Sequence, residues 1–424
     1  MNAKGNHKQK GSFLGTIIHG YRVTLTCAAF TISTGIFLAF QLKYFSTLLF
    51  YLPLNWTRWT RTRKTRFQLC LMWSLFLIFA PRYPASSYLR NDTPIPPIGR
   101  NGTFYIAANL YNSEKVLPTW TKELNLLIDH IGQQNVFVSI YESNSADATQ
   151  ELLGDLQRDL HERKIRNHVS INKGERIEWD SKDLLHSAQR ISYMADIRNE
   201  ALSPLYSMAE KGDTFTKVIF FNDVYFDWRS IVRLINTKNG DYDLACAIDF
   251  DGIGLYDTWV LRDACGRKVR EVWPYFSLDP KAVENLRKGE PIEVAACWNG
   301  VAIFDASWFL PEPSSNVSPL KFRHDDECTS SECYLTSLDM HIRTKPHRPK
   351  IYVNPQVKVA YNSLNYLFRT KLEDLTSTIP WQVVWQDWVG HRLFGWFTNL
   401  IWLRNDECSI KHALGLFVKP DYCS

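Results

Sequence analysis

The sequence predicts an α/β fold with a mainly parallel sheet wrapped by helices, and three observations carry that prediction. Val218 to Phe221 is a short unbroken apolar run that stops at Asn222-Asp223, and Leu244 to Ile248 is a second that stops at Asp249-Phe250-Asp251. Runs of this kind are how strands buried on both faces look. Upstream of them, strand-like runs alternate with stretches of helical spacing, the pattern of crossover connections rather than of hairpins. Ligands in such sheets are held beyond the carboxyl ends of the strands, where these two strands deliver acids.

The elements follow in order. Phe104 to Leu110 is the first strand, and Leu117, Trp120, Leu124, Leu127 and Ile131 then mark a helix. Val136 to Tyr141 is the second strand. Ala146 to Arg163 reads as a helix with Leu152, Leu156 and Leu160 on one face, and Ala188 to Lys211 as a third with Ile191, Met194 and Ile197. The Val218 and Leu244 strands come next, and Ile351 to Tyr361 reads as the last strand. No internal repeat or low-complexity tract interrupts them.

At 424 residues, 45% hydrophobic and 22% charged, the chain holds one large domain plus accessories. Forty-nine Lys and Arg against 44 Asp and Glu give a net charge of +5, too mild an excess to argue for a nucleic-acid partner. The basic residues cluster near the N-terminus instead. Residues 1–22 form a basic, polar tail. Within 23–81, two stretches are candidate membrane spans: 23–42, uncharged and close to the roughly 20 residues a bilayer needs, and 67–81. The cluster Arg58, Arg61, Arg63, Lys64 and Arg66 precedes the second, and a Pro-containing stem over 82–103 follows it. Basic cluster, apolar core and polar stem read as a signal anchor that places everything downstream in a lumen, with either one or three crossings. Sequons at Asn91, Asn101 and Asn316 accord with that address. Residues 366–424 form a Trp-rich extension, read as a hydrophobic helix packing back on the domain in preference to a sugar platform or an interfacial helix.

Of nine cysteines, Cys27 and Cys70 fall in the apolar N-terminal segments. The other seven show no Cys-x-x-Cys and no His at zinc spacing, which argues against a zinc site. In a lumen they allow up to three disulfides and one free thiol, with the pairs left open.

Two strand ends that each deliver carboxylates point to a divalent cation, because a hard ion is seldom held by one carboxylate alone. The competing reading is that Asp223 and Asp249 only close the turns after their strands.

Phe220-Phe221-Asn222-Asp223-Val224, Cys246-Ala247-Ile248-Asp249-Phe250-Asp251 and Tyr256-Asp257-Thr258-Trp259-Val260-Leu261-Arg262-Asp263, in that order and spacing, resemble the core of the fungal capsule-associated mannosyltransferases. That group, glycosyltransferase family 69, has cryptococcal alpha-1,3-mannosyltransferases as its best-known members. The resemblance runs from about Phe104 to Tyr361 and implies a GT-A-like nucleotide-sugar transferase domain over 104–365. It implies mannose transfer from GDP-mannose to a mannose-containing glycan acceptor, through alpha-1,3 linkages and with Mn²⁺ or Mg²⁺, by a domain in the lumen of the Golgi or another secretory membrane. An alpha product from an alpha donor means retention, by same-face attack or by a covalent intermediate.

The resemblance also assigns residues. The turn from Tyr141 to Thr149 is similar to the one that holds the nucleoside, with Glu142 accepting from a base N–H and Asp147 and Thr149 capping the helix. Arg198-Asn199 resembles an Arg-Asn pair suited to a diphosphate, an exposed helix Arg being the alternative. Asp223, Asp249 and Asp251 are the metal candidates, Asp249 being a catalytic candidate as well. One carboxylate stands beside Asn222 where GT-A enzymes carry Asp-x-Asp, while a true Asp-x-Asp lies at 249 and 251, so either strand end qualifies. Asp257, Trp259, Arg262 and Asp263 fall on the substrate side with Trp298, Asn299 and Gly300, where Trp298 stacks on a sugar and Gly300 lets the backbone approach it. An ordinary strand entered by a turn competes for that last segment. Glu332, in a Ser-Glu-Cys element, is the candidate to stabilise charge at the anomeric carbon or orient the acceptor hydroxyl. The acidic cluster around His324 reads as a solvated loop in preference to part of a metal shell. Two rival classes remain, a non-catalytic glycan-binding or scaffolding relative and a nucleotidyltransferase. The second lacks a Gly-rich phosphate loop after the first strand.

Overall fold

The computed structural model describes residues 95–98, 102–171, 184–251, 254–271, 275–276, 278–311, 317–326 and 330–372, together with 420 and 422. These lie in one of the chain's two units, 84–375 with 399–424. The other unit, the basic tail, both candidate spans, most of the stem, the three sequons and nearly all of the Trp-rich extension lie outside the described residues. Among the described residues no helix is long and apolar enough to cross a membrane.

The elements are β1 (Phe104–Leu110), α1 (Leu117–Ile131), β2 (Val136–Glu142), α2 (Thr149–Glu162), β3 (Arg166–Ile171), α3 (Leu184–Glu210), β4 (Lys217–Phe221), α4 (Trp228–Ile235), β5 (Leu244–Asp251), β6 (Gly254–Leu255), β7 (Arg262–Asp263), α5 (Pro280–Lys288), β8 (Ile292–Ala296), β9 (Val301–Asp305), α6 (Glu332–Thr344), β10 (Ile351–Ala360) and α7 (Ser363–Leu367). The sheet order is β3-β2-β1-β4-β9-β5-β10-β8-β7, with β6 paired to β5. Strands β3, β2, β1 and β4 run parallel, β5 and β10 run parallel, and β9 lies antiparallel between β4 and β5. The expected mixed α/β architecture with a mainly parallel sheet is present.

Both faces of the central strands are buried, which explains their unbroken apolar runs. In β4, Val218 and Phe220 join one core with residues of α3, α5 and α6, while Ile219 and Phe221 join the other with α1, α2 and α4. This is the two-residue period of a strand covered on both sides. In α2 the buried face is Leu153, Leu156 and Leu160; Leu152, expected there, is only half-buried at its margin. Sequence reasoning missed β3, because a polar edge strand offers neither an apolar run nor strict alternation. It also missed α4, whose eight residues are too few to display a helical period.

The antiparallel β9 positions the site. Its entry turn, Trp298-Asn299-Gly300, is carried to the carboxyl ends of β4 and β5, with Phe221 paired to Val301. Asn299 and Gly300 have φ of 51° and 77°, so the turn is left-handed at two consecutive residues. A disulfide from Cys246 of β5 to Cys297 ties this turn to the sheet, and Cys265 is disulfide-bonded as well.

Candidate active site

A cleft of about 680 Å³ opens at the carboxyl ends of the strands. Leu110 and Tyr111 at the end of β1, Asn222-Asp223 after β4, Tyr256-Asp257 after β6 and Tyr361 after β10 all face it. Arg198 of α3, Trp298, and Ser331-Glu332-Cys333 at the start of α6 complete the wall.

Arg198 and Glu332 form its centre. Nε of Arg198 donates to Oε1 of Glu332 at 2.8 Å, and both side chains are buried. The guanidinium lies 4.2 Å from the centroid of the Trp298 ring, with Phe220 and Phe322 farther out. Nη1 of Arg198 is buried with no protein partner, so the cation retains a donor for an anionic oxygen in the cleft. The alternative of an exposed helix Arg does not hold. Burial pushes the Glu332 carboxyl up, but the neighbouring Arg198 more than offsets this and leaves it below the usual carboxylate range. Ser331 caps α6 by accepting from the Cys333 N–H and donates its hydroxyl to Oε2 of Glu332. The positive end of α6 thus also favours the charge.

The acids separate into three positions. Asp223 faces the cleft, and burial pushes its pKa up to about 6. Asp257 also faces the cleft, its carboxylate accepting from the Val260 and Asn299 amides at 2.9 and 3.3 Å. Asp249, expected as a metal ligand and a catalytic residue, is fully buried, with Oδ1 accepting from Nδ2 of Asn299 at 2.8 Å and from the Asp257 amide at 3.2 Å. Burial and the nearby Asp257 raise its pKa. Its Oδ2 has no hydrogen-bond partner. Asp251 departs from the expected set: it is exposed, outside the cleft wall, and accepts from Asn362 and Asn365. The structure therefore does not bring Asp249 and Asp251 together at the cleft wall.

Among the described residues, no three His, Cys, Asp or Glu side chains gather closely enough to hold an ion by themselves. The carboxylates facing the cleft, Asp223 and Asp257, suit instead a hard ion that keeps most of its positions for phosphate oxygens and water.

Several expected contacts belong to scaffolding. Glu142 is fully buried and accepts from the Ser145 amide and from Gln150. Asp147 accepts from the Thr149 and Glu114 amides, and Thr149 from the Ser113 amide, so these two residues pin the turn to the loop after β1. Asn199 holds the Phe322 backbone in both directions, at 2.8 and 3.0 Å. Arg262 is buried behind the cleft, donating to the Trp259 and Leu261 carbonyls. Asp263 closes its turn through the Cys265 and Arg267 amides and the Arg267 side chain. Trp259 is exposed at the cleft rim. Trp298 presents its ring to Arg198 rather than to an open subsite, and a Cβ at Gly300 would meet Val359 at 3.0 Å and Val224 at 3.1 Å, so packing requires that glycine. Tyr361 went unremarked as a site residue, although the rule that ligands bind beyond strand carboxyl ends points to it.

A sequence profile described as Cryptococcal mannosyltransferase 1 matches residues 103–339, more than half of the chain. The chain belongs to this family. The cryptococcal resemblance read from the sequence is thus confirmed. Within this family the chain is similar to an alpha-1,3-mannosyltransferase of Cryptococcus neoformans var. neoformans serotype D, at 27% identity over 291 residues that cover 62% of this chain and 58% of the relative. The chain thus spans less than two thirds of that relative's length. Looser structural likenesses join this family member to a Pyrobaculum calidifontis mannosyltransferase in complex with GDP-Man and Mn²⁺ (11% identity, 69% of this chain and 68% of that one, TM-score 0.37). Another is to S. aureus TarS 1–349 in complex with UDP-GlcNAc (15% identity, 62% and 59%, TM-score 0.34).

Proposed function

We propose that the chain is a membrane-anchored, lumenal glycosyltransferase with a GT-A-like domain that moves mannose from GDP-mannose to a mannose-containing glycan, forming alpha-1,3 linkages. The observation that carries this reading is the cleft itself: in a member of this family, a buried Arg198–Glu332 pair and the acids Asp223 and Asp257 line one cavity at the carboxyl ends of the strands. The Cys246–Cys297 disulfide supports an oxidising compartment. The order of basic cluster, apolar core and stem supports an anchor in the Golgi or another secretory membrane.

In this reading Asp223, with Asp257 lining the same cleft, holds Mn²⁺ or a similar ion, which when bound neutralises a diphosphate leaving group. Arg198 offers Nη1 to the same anionic group. Glu332 stays ionised and faces the positive charge that develops at the anomeric carbon. Both of its oxygens already accept hydrogen bonds, from Arg198 and Cys333 on one and Ser331 on the other, which suits a fixed electrostatic stabiliser better than a nucleophile.

The test uses the full-length chain in detergent with GDP-mannose and a short alpha-mannoside, with Mn²⁺ and with EDTA. Mannose transfer that needs the ion is expected. No transfer, together with no Mn²⁺-dependent GDP binding by the folded protein, overturns the reading in favour of a non-catalytic glycan-binding relative.

A further inference from the structure

Asn222 stands where a second carboxylate is usual, and the structure shows what it does there. Every kind of polar atom it has is engaged. Its backbone N–H donates to the Gly300 carbonyl, and its carbonyl accepts from the Val224 amide and from Nε1 of Trp120. Its side chain bridges two aromatic residues of the cleft wall. Oδ1 accepts from Nε1 of Trp298 at 3.1 Å, and Nδ2 donates to the phenol oxygen of Tyr361 at 3.0 Å.

That bridge has a fixed direction. An indole N–H only donates, so the amide oxygen of Asn222 must face Trp298 and the amide nitrogen must face Tyr361. Trp298 cannot swing away, because Arg198 covers its ring and Phe220 and Phe322 pack against it at 5.1 and 5.6 Å. The phenol oxygen of Tyr361 is therefore an acceptor toward Asn222, and its proton has to point elsewhere. No acceptor among the described residues takes it, and Tyr361 faces the cleft, its ring held against Tyr256 at 4.5 Å. We infer that Trp298 and Asn222 orient Tyr361 so that its O–H donates to an oxygen of the bound nucleotide-sugar donor, Asn222 being the positioning residue and Tyr361 the binding residue. This inference rests on the reading of the cleft as a nucleotide-sugar site. It also explains why an amide replaces a carboxylate at 222. A carboxylate there would offer only acceptors, and the phenol would turn its proton away from the cleft to meet it.

Binding to the full-length chain is measured with GDP and with GDP-mannose, in the presence of Mn²⁺, for wild type, Tyr361→Phe, Asn222→Asp and the double variant. Each single change is expected to weaken GDP-mannose binding roughly tenfold, as for loss of one hydrogen bond to a polar or charged oxygen. The double variant is expected to be no weaker than either single one, because both remove the same donor. Equal losses with GDP place the partner oxygen on the GDP moiety, and losses confined to GDP-mannose place it on the sugar. Asn222→Asp is isosteric and its fold is checked by thermal melting, so a merely structural effect of Tyr361→Phe does not decide the outcome. Wild-type affinity in either folded single variant, or additive losses in the double one, overturns the inference while leaving the transferase reading intact. A wild type that binds neither nucleotide overturns both.

Discussion

Nε of Arg198 and Oε1 of Glu332 meet at 2.8 Å across 134 residues of sequence, with both side chains buried. Neither charge tolerates the loss of the other in that setting. Glu332→Ala leaves a buried guanidinium uncompensated and is expected to cost about 3–5 kcal/mol of stability. Glu332→Gln keeps the shape and one acceptor for Arg198 but removes the charge and the acceptor for Ser331, so it should lose part of that stability, less than Glu332→Ala, while transfer falls on the order of a hundredfold or more. Thermal melts beside kcat for the two variants check this, and wild-type turnover in Glu332→Gln removes the carboxylate from the chemistry.

The placement of the acids predicts which strand end carries an ion. Asp223 faces the cleft, whereas Asp251 is outside it and held by Asn362 and Asn365. Asp223→Asn should abolish Mn²⁺-dependent GDP binding, and Asp251→Asn should leave it within about twofold of wild type, as expected of a surface change. Calorimetric titration of Mn²⁺ and GDP into each variant separates them. The reverse ranking would move the ion to the other strand end.

Much of this arrangement is legible in the sequence, and the rest is not, for physical reasons. The strands Phe104 to Leu110 and Val218 to Phe221 are readable because burial on both faces leaves unbroken apolar runs. The carboxyl-end rule locates Asp223 and Asp257 in the right region. It cannot say that Asp249 lies underneath and Asp251 outside, because β5 runs through both and ends at Asp251, the residue paired to Gly254 of β6. Nor can residue type distinguish an arginine that lines the cleft from one that braces the fold: Arg198 and Arg262 are both buried over aromatic rings, at 4.2 and 4.8 Å, yet of the two only Arg198 reaches the cleft. The Trp298–Asn222–Tyr361 bridge joins three elements far apart in the chain, and no local pattern announces it.

Gly300 provides a stability test of the entry turn. Its φ of 77° disfavours any side chain, and an added methyl would press on Val359 and Val224 at 3.0 and 3.1 Å. Left-handed strain and overpacking together put the expected cost of Gly300→Ala at about 2–4 kcal/mol. Chemical denaturation measures it, and a change below about 0.5 kcal/mol would mean that the turn relaxes freely.

The disulfide holds the same turn from its other side. Cys246 and Cys297 are 51 residues apart, a loop length for which cross-linking contributes about 4 kcal/mol in the chain-entropy account. The variant Cys246→Ala/Cys297→Ala is expected to lose stability of that order. It should lose GDP-mannose affinity as well, because Trp298 follows the released cysteine directly. Stability lost with affinity retained would show that β9 alone fixes the turn.

His341 gives the fold a pH dependence separate from the cleft. Its ring is fully buried on α6, with Nε2 against the Ala295 carbonyl of β8 at 2.9 Å, so that nitrogen carries the proton in the neutral ring. Burial pushes its pKa down to about 4, with Arg348 acting in the same direction. The folded value lies below the unfolded value of about 6.5, so the folded state disfavours the second proton. The neutral ring's contribution is complete above pH 6.5 and is lost as pH falls toward 4. Between pH 7 and pH 5 the expected loss is about 2 kcal/mol. His341→Gln can keep a donor for Ala295 without titrating, so its urea midpoint should fall less over that interval than that of wild type. Parallel falls in the two proteins would assign the acid sensitivity to other groups.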